Sequence, residues 1–325
     1  MKEGIMMAQK KMILDLDTGI DDALAIAYAL ASDEVDLIGI TSTYGNVVTA
    51  EAGQNSLRIL ELLGRTDIPV YLGLPHSSTT DHFDVMQVSK DIHGVNGIGE
   101  VSLPTAQRAV ENKSAVDFMI EAARQYGDDL IIVPTGPMTN LAAALAQAPE
   151  ITALVGNVTF MGGALTVPGN VTEVGEANIN QDPAAADQVL RSPFNLTMVG
   201  LDVTLRTLLT KKETQLWRDL GTKSSVAFAN IVDYYIDAYA ALNPQLHGCA
   251  LHDPLAVGVA LDPSLVQTIG LNMKVETEAP FAARTVGDVD RLDLPTTNVQ
   301  VAVNVDVPKY LQRFMHRLTA LFAHN

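Results

Sequence analysis

The stretch "MILDLDTGIDDALAI", residues 12–26, places four carboxylates within eight positions: Asp15, Asp17, Asp21 and Asp22. An apolar run leads into them and an apolar helical pattern leads out. That pattern predicts a buried strand, a tight Thr-Gly turn and then a helix. Asp21 and Asp22 open the helix, where carboxylates cap free N–H groups and complement the helix dipole. Capping does not account for Asp15 and Asp17. These lie inside the apolar strand, where a charge is costly unless it is paired or bound to a metal.

Three motifs compete to explain the cluster. An EF-hand loop fails: Gly19 stands at a ligand position, Ile20 at the glycine position and Ile26 at the position of the bidentate glutamate. A haloacid-dehalogenase phosphatase begins with a strand ending D-x-D-x-T/V, and "DLDTG" carries Gly19 in the last place. The third is an oxygen-rich calcium site. Asp17 and Asp22 would be ligands on either side of the turn, and further oxygens would come from elsewhere in the chain.

Around this segment, apolar β-rich runs alternate with helical patterns. Strand candidates are "MILDLD", "VDLIGITST", "IPVYLG", "DLIIVPTG", "NVTFMGG", "NLTMVGLDVT", "IGLNMKVET" and "NVQVAVNVD". Helical patterns fall near 21–31, 49–63, 114–126, 138–148, 183–191, 211–220, 224–241, 253–260 and 307–322. Continuous apolar strands separated by helices predict an α/β fold: a single open, mostly parallel sheet with helices on both faces. No linker, repeat or low-complexity tract interrupts the chain, so one domain over 1–325 is expected, with residues 1–10 flexible. The polar stretch 74–113 is expected to hold a long functional loop. Successive strand candidates end in chemistry: Asp17, "TYGN" with Asn46, "PTGPMTN" with Thr135, "MGGA", and Asp202. In an open parallel sheet ligands bind outside the carboxyl ends of the strands, so these residues should converge on one crevice.

Composition narrows the chemistry. The 325 residues are 47% hydrophobic, enough for a large core. A net charge of −17 argues against nucleic acid and anionic membranes as partners, and favours metal cations. No apolar run is long enough for a membrane span. The opening "MKEGIMMAQKKM" has no long apolar segment, which argues against a secretory signal. The lone Cys249 excludes an intramolecular disulfide and fits a reducing, cytoplasmic compartment.

Two further segments supply oxygen ligands and polar contacts. "ALHDPLAV" contains His252 and Asp253. An Asp-Pro pair is an ordinary N-cap with proline at N1, and Asp182 in "NQDPAAAD" is expected to be only that. A histidine directly before Asp253 makes that pair less bland. "GNVTEVGEANIN" adds Asn170, Glu176, Asn178 and Asn180, whose amides and carboxylate suit a polyol. "HGVNGIG", residues 93–99, lacks the strand-then-helix context of a phosphate loop and is expected to be a mobile loop. No Walker loop, Rossmann glycine fingerprint, G-x-S-x-G elbow or H-E-x-x-H occurs.

Taken in order, "DLDTGIDDALAI", "TYGN", "HGVNGIG", "VPTGPMTN", "MGGA", "GNVTEVGEANI" and "LHDPLAV" resemble the calcium-dependent inosine–uridine nucleoside N-ribohydrolase family. The resemblance runs from about residue 11 to 262 and extends to the C-terminal strand and helix. It implies hydrolysis of the N-glycosidic bond of ribonucleosides in nucleoside salvage, by a homodimer or homotetramer. It implies Ca²⁺ held by Asp17, Asp22, Asp253 and the carbonyl of Thr135, with bound water and the ribose diol completing the shell. Asp21, Asn46, Asn170, Glu176 and Asn178 match ribose-binding positions, Met161 packs near the sugar, and His93 and His252 match positions near the base. Tyr235 and Tyr239 lie in a helix that often supplies a base-contacting tyrosine, and Tyr239 is taken as the candidate. Two departures stand out: Ala177 replaces a frequent aromatic, and Asn96 stands where an acid is common.

The chemistry agrees with the resemblance. Carboxylates stabilise an oxocarbenium-like transition state, the metal lowers the pKa of its bound water, Asp17 is the candidate general base and His252 the candidate acid toward the departing base. Two rivals remain: a phosphatase with Asp15 as nucleophile and Mg²⁺, and a non-catalytic binder of ribose or calcium.

Overall fold

The computed structural model describes residues 9–325. The expected flexibility of residues 1–10 falls almost wholly outside the described residues; Lys10 already opens a strand. Among the described residues, twelve strands form three sheets: β1 (Lys10–Leu16), β2 (Val35–Ser42), β3 (Val70–Leu72), β4 (Leu130–Pro134), β5 (Asn157–Met161), β6 (Leu196–Val199), β7 (Leu208–Leu209), β8 (Cys249–Ala250), β9 (Val266–Leu271), β10 (Met273–Val275), β11 (Thr285–Gly287) and β12 (Val299–Val305). The main sheet has eight strands in the order β3-β2-β1-β4-β5-β6-β12-β9. All its pairings are parallel except β12 with β9. The expected α/β fold, a mostly parallel sheet with helices around it, is what the chain adopts.

The sheet order fixes where the site must be. From β1 the chain winds outward through β2 to β3, then returns to pair β4 on the other side of β1 and winds outward the other way. The carboxyl ends of β1 and β4 therefore flank a topological switch point, where the flanking loops part and leave a crevice. Residue 17 follows β1 and residue 135 follows β4.

Strand alternation sorts β1 between two cores. Met12, Leu14 and Leu16 join a core shared with the helices Ile20–Leu30, Thr49–Leu62, His252–Leu261 and Val307–Ala323. Ile13 joins the opposite core, with Ala115–Tyr126, Thr139–Gln147 and Pro183–Leu190. Asp15 shares the face of Ile13, because successive side chains of a strand point to opposite faces. The alanine-rich helix Ile20–Leu30 is buried along nearly its whole length, packed beside the helix His252–Leu261 on the same face of the sheet. Small side chains permit this close approach, and it brings the starts of both helices together at the crevice.

The structure differs from the sequence reading at three places. "NLTMVGLDVT" is a strand only over Leu196–Val199; Leu201–Thr204 turns helical, starting behind Gly200. "IGLNMKVET" divides between β9 and β10, which belong to different sheets. The loop 74–113 contains a helix, Gln87–His93, too short and polar to announce itself by periodicity.

Candidate active site

Four carboxylates meet at the crevice with no Lys or Arg side chain among them. Asp17 is 1% exposed; its Oδ2 accepts the backbone N–H of Asn46 at 2.7 Å, and its Oδ1 is buried with no partner. Asp22 reaches back from the first helical turn to accept the N–H of Gly19 at 2.8 Å, and it also accepts from Thr135 Oγ1 at 2.8 Å and Asn46 Nδ2 at 3.3 Å. Asp21 accepts from the Tyr235 hydroxyl at 3.3 Å, while its Oδ1 has no hydrogen-bond partner. Asp253, in the first turn of His252–Leu261, completes the group: one oxygen each from Asp21, Asp22 and Asp253 lie within 4.8 Å of one another. Asp17 stands against Asp22.

Burial, joined at three of them by the charge of acidic neighbours, raises all four carboxyls above the usual range. Burial dominates at Asp21, with the charge of Asp22 adding to it, and the carboxyl is pushed up to about 8. Asp17 and Asp253 are pushed up by burial and then by their acidic neighbours, and Asp22 by burial. Without a counter-charge, like charges at this distance oppose one another's ionisation. Unpartnered buried oxygens on Asp17 and Asp21, in an all-oxygen set of hard donors, fit a divalent cation such as calcium. Gly45 makes the packing possible: its φ is +153°, and a Cβ there would lie 2.1 Å from Asp17 Oδ2.

A cavity of about 490 Å³ opens above the cluster. Asp21, Asn46, Thr135, Asp253, Met161, Asn170, Glu176 and Asn178 line one part of it; Met86, Val88, Ile92, Leu201 and Leu205 form an apolar part, beside His93, Tyr235, Tyr239 and His252. No Lys or Arg lines it. Asp17 and Asp22 are outside the lining, behind Asn46 and Thr135, which bond to them.

The polar loop 170–178 is held by its own side chains. Glu176 caps the helix Ala177–Gln181, accepting from Asn178 N at 3.0 Å, Ile179 N at 3.2 Å and Gly163 N at 3.0 Å. Asn170 accepts from Ala177 N at 3.0 Å, closing the loop. Asn178 Nδ2 donates to the Thr135 carbonyl at 2.6 Å and meets Met161 Sδ at 3.3 Å. A carbonyl has two lone pairs, so this bond leaves the Thr135 oxygen one acceptor position.

Both histidines are buried and are held neutral near pH 7. His93 Nδ1 accepts the N–H of Ile20 at 3.1 Å, which puts its proton on Nε2; burial lowers its pKa to about 3. His252 is bonded through both nitrogens, Nε2 to the Tyr239 hydroxyl at 2.7 Å and Nδ1 to Thr204 Oγ1 at 2.8 Å, and burial lowers it to about 4. Tyr235 and Tyr239 lie one helical turn apart and pack edge to face at 4.9 Å.

Three sequence expectations need correction. Asp202 does not reach the cavity; its carboxylate fastens the loop at Leu165 and Thr166, accepting both backbone N–H groups and the Thr166 hydroxyl. Asn180 is also outside the lining. Asp182 is more than a cap: besides Ala185 N it accepts from Ser78 N, Ser78 Oγ and Thr139 Oγ1. Sequence reasoning also missed Thr204 and the apolar wall from Met86 to Ile92, which carry no motif. The i,i+4 spacing of Tyr235 and Tyr239 was the one available signal for that pair, and it reads equally well as core.

The phosphatase reading loses its nucleophile. Asp15 is fully buried on the other face of β1, accepting from Thr41 Oγ1 at 2.7 Å and Asn140 Nδ2 at 2.9 Å, and burial raises it to about 7. It is outside the cavity, whose lining has no Lys or Arg to hold a phosphate.

Comparison with known proteins matches this geometry. Residues 12–312 fit the family of inosine-uridine preferring nucleoside hydrolases. The pyrimidine-specific ribonucleoside hydrolase RihA of Escherichia fergusonii is 35% identical over 308 residues, 94% of this chain and 97% of that one. Among solved structures, a purine-preferring ribonucleoside hydrolase from Gardnerella vaginalis is 56% identical with a TM-score of 0.96, covering 97% of this chain and 100% of that one. A plant nucleoside hydrolase, the PpNRh1 enzyme, is 32% identical with a TM-score of 0.91, covering 96% and 100%. The chain belongs to the nucleoside hydrolase family. It is an enzyme that cleaves the N-glycosidic bond of ribonucleosides.

The raised carboxyls set a pH dependence. Their folded pKa values lie above those of the unfolded chain, so their contribution to stability is full below about pH 4 and is lost as pH rises through about 7 to 8, where Asp15 and Asp21 titrate. In chelator, the melting temperature should fall between pH 5 and 8, and a saturating divalent cation should abolish the part of that fall that comes from Asp21 and its neighbours, leaving the part that comes from Asp15. A chelated protein with a flat profile across this range would contradict the assignment.

Proposed function

We propose that this enzyme hydrolyses purine ribonucleosides in preference to pyrimidine ones, with calcium in the carboxylate cluster. The observation that carries the reading is the set of four buried, mutually repelling carboxylates at the sheet's switch point, with no Lys or Arg facing them. The purine preference is supported by the 56% identity to the purine-preferring enzyme, against 35% to the pyrimidine-specific one. Asp17, Asp22, Asp253 and the Thr135 carbonyl would hold the ion. Bound there, calcium supplies a charge that orients the vicinal ribose hydroxyls and acidifies a water.

The chain's own groups do the rest. Asn46, Asn170, Glu176, Asn178 and Asp21 hold the ribose by hydrogen bonds, with Met161 packed beneath it. As the glycosidic bond stretches, positive charge develops on the sugar, and the surrounding carboxylates stabilise it without reorganising. Asp17 Oδ1, free of other partners, takes the proton of the attacking water. On the leaving side, His252 has both nitrogens engaged, so the hydroxyl of Tyr239 is the group that meets the departing base nitrogen, held in its rotamer by His252 and Thr204. His93, with its proton on Nε2, adds a donor beside the base.

The proposal extends to a single-domain subunit working in the cytoplasm in nucleoside salvage, as a homodimer or homotetramer. The buried unpaired Cys249 and the exposed apolar side chains Val289, Leu292 and Leu294 support this. Among the described residues, no helix is long and apolar enough to cross a membrane.

A reducing-sugar assay over a nucleoside panel, with and without chelator, tests the function. Inosine, adenosine or guanosine should show the highest kcat/KM, and chelation should abolish turnover. Ribose binding without release of any base would establish a non-catalytic binder instead. Asp17→Ala should reduce kcat at least 10²-fold on every substrate, since it removes both a ligand and the base. His252→Ala and Tyr239→Phe should slow natural nucleosides by about 10²-fold or more, and p-nitrophenyl riboside far less, because nitrophenolate leaves without a proton. Equal losses on both substrates would remove these residues from leaving-group activation.

A further inference from the structure

Asp182 is fully buried, and among the described residues no Lys or Arg pairs with it. Four donors satisfy its charge. Oδ1 accepts from Ala185 N at 3.0 Å and Ser78 Oγ at 2.8 Å; Oδ2 accepts from Ser78 N at 2.7 Å and Thr139 Oγ1 at 2.8 Å. Only the bond to Ala185 is capping. The other three come from separate elements: the loop that follows β3 and the helix that follows β4.

That loop is what makes the residue matter. From 74 to 86 it crosses the surface and delivers Met86 and the helix Gln87–His93 to the cavity. Leu74 at its start is fixed by Asn140 and Thr49. Beyond that point, its polar ties to the rest of the fold among the described residues are Ser78 on Asp182 and the contact of Tyr44 with Ser77. Tyr44 also packs on Phe83, ring centroids 4.7 Å apart. Its hydroxyl bonds Thr139 Oγ1 at 2.9 Å, the same hydroxyl that donates to Asp182. The polar fastening of the loop thus converges on one carboxylate. The metal-side carboxylates are held by other partners: Asn46, Gly19, Thr135 and Tyr235.

We infer that Asp182 is a positioning residue for nucleobase binding: it seats the 74–86 loop so that Met86, Val88, Ser89 and Ile92 form the wall against which the base packs. This rests on the nucleoside hydrolase reading of the cavity. Asp182 touches no substrate and acts through the loop.

Asp182→Asn isolates the role. Asn offers one acceptor oxygen and one NH₂, so in either orientation its NH₂ faces a backbone N–H, that of Ser78 or that of Ala185. With saturating calcium, the KM for inosine should rise about tenfold or more, the scale of losing hydrogen bonds to a charged group. The Ki for ribose, which engages only the metal side, should stay within twofold of wild type, and protease should cut within 75–86 faster. Ser78→Ala, a change at an exposed site, should raise the KM for inosine about threefold with the same ribose Ki, and it carries the test alone if the Asn variant does not fold. The inference is overturned if KM for inosine is unchanged, or if KM and ribose Ki move by the same factor. A wild-type enzyme that releases no base from any nucleoside would refute the parent reading instead, and that result is read before any variant.

Discussion

The repulsion among Asp17, Asp21, Asp22 and Asp253 is the constraint around which the fold is arranged. Buried charge of one sign is costly, and here it is concentrated where β1 and β4 diverge and two helices begin. Three of them receive local donors: Asp17 from the Asn46 amide, Asp22 from the Gly19 amide and the Thr135 hydroxyl, and Asp21 from the Tyr235 hydroxyl. None of these is a full positive charge. What remains unbalanced is useful to an enzyme that must favour a cationic sugar over a neutral one. The same imbalance that destabilises the uncompensated carboxylates creates affinity for a cation and for the transition state.

The fold was legible because its signals are local and repeated. Buried parallel strands read as apolar runs, and the helices between them carry a 3.6-residue period. Where the reading failed, local pattern and tertiary context disagreed. Residues 201–204 look β-like, yet the Gly200 turn sends them into a helical turn whose Asp202 ties down a neighbouring loop. The helix Gln87–His93 is shorter than any window in which periodicity becomes visible, and its place in the cavity is set by distant contacts.

Site residues were legible in proportion to how unusual they were for their local structure. Asp17, charged at the end of an apolar strand, stood out at once. Asp182 did not, because Asp-Pro before a helix is an ordinary cap, and nothing near it in sequence reveals that Ser78 and Thr139 also converge on it. Thr204 was invisible for the same reason: its importance lies in a bond to a histidine 48 positions away. Asp15 and Asp17 are two residues apart, yet the strand directs the first into a closed hydrogen-bonded pocket and leads the second to the crevice. A motif of close aspartates cannot separate those fates without the pleat and the sheet order.

The placement of β1 inside the sheet also determines when the site comes into being. Its carboxylates come from residues 17–22 and from residue 253, far apart in the chain, and β1 must pair across more than a hundred intervening positions with β4. Such non-local pairings form late and slowly. An isolated N-terminal segment therefore holds the aspartates without the pocket that gives them affinity. A cation that binds only the completed arrangement stabilises the finished fold and none of its precursors. It would slow the opening of the molecule and leave the early steps of its folding untouched.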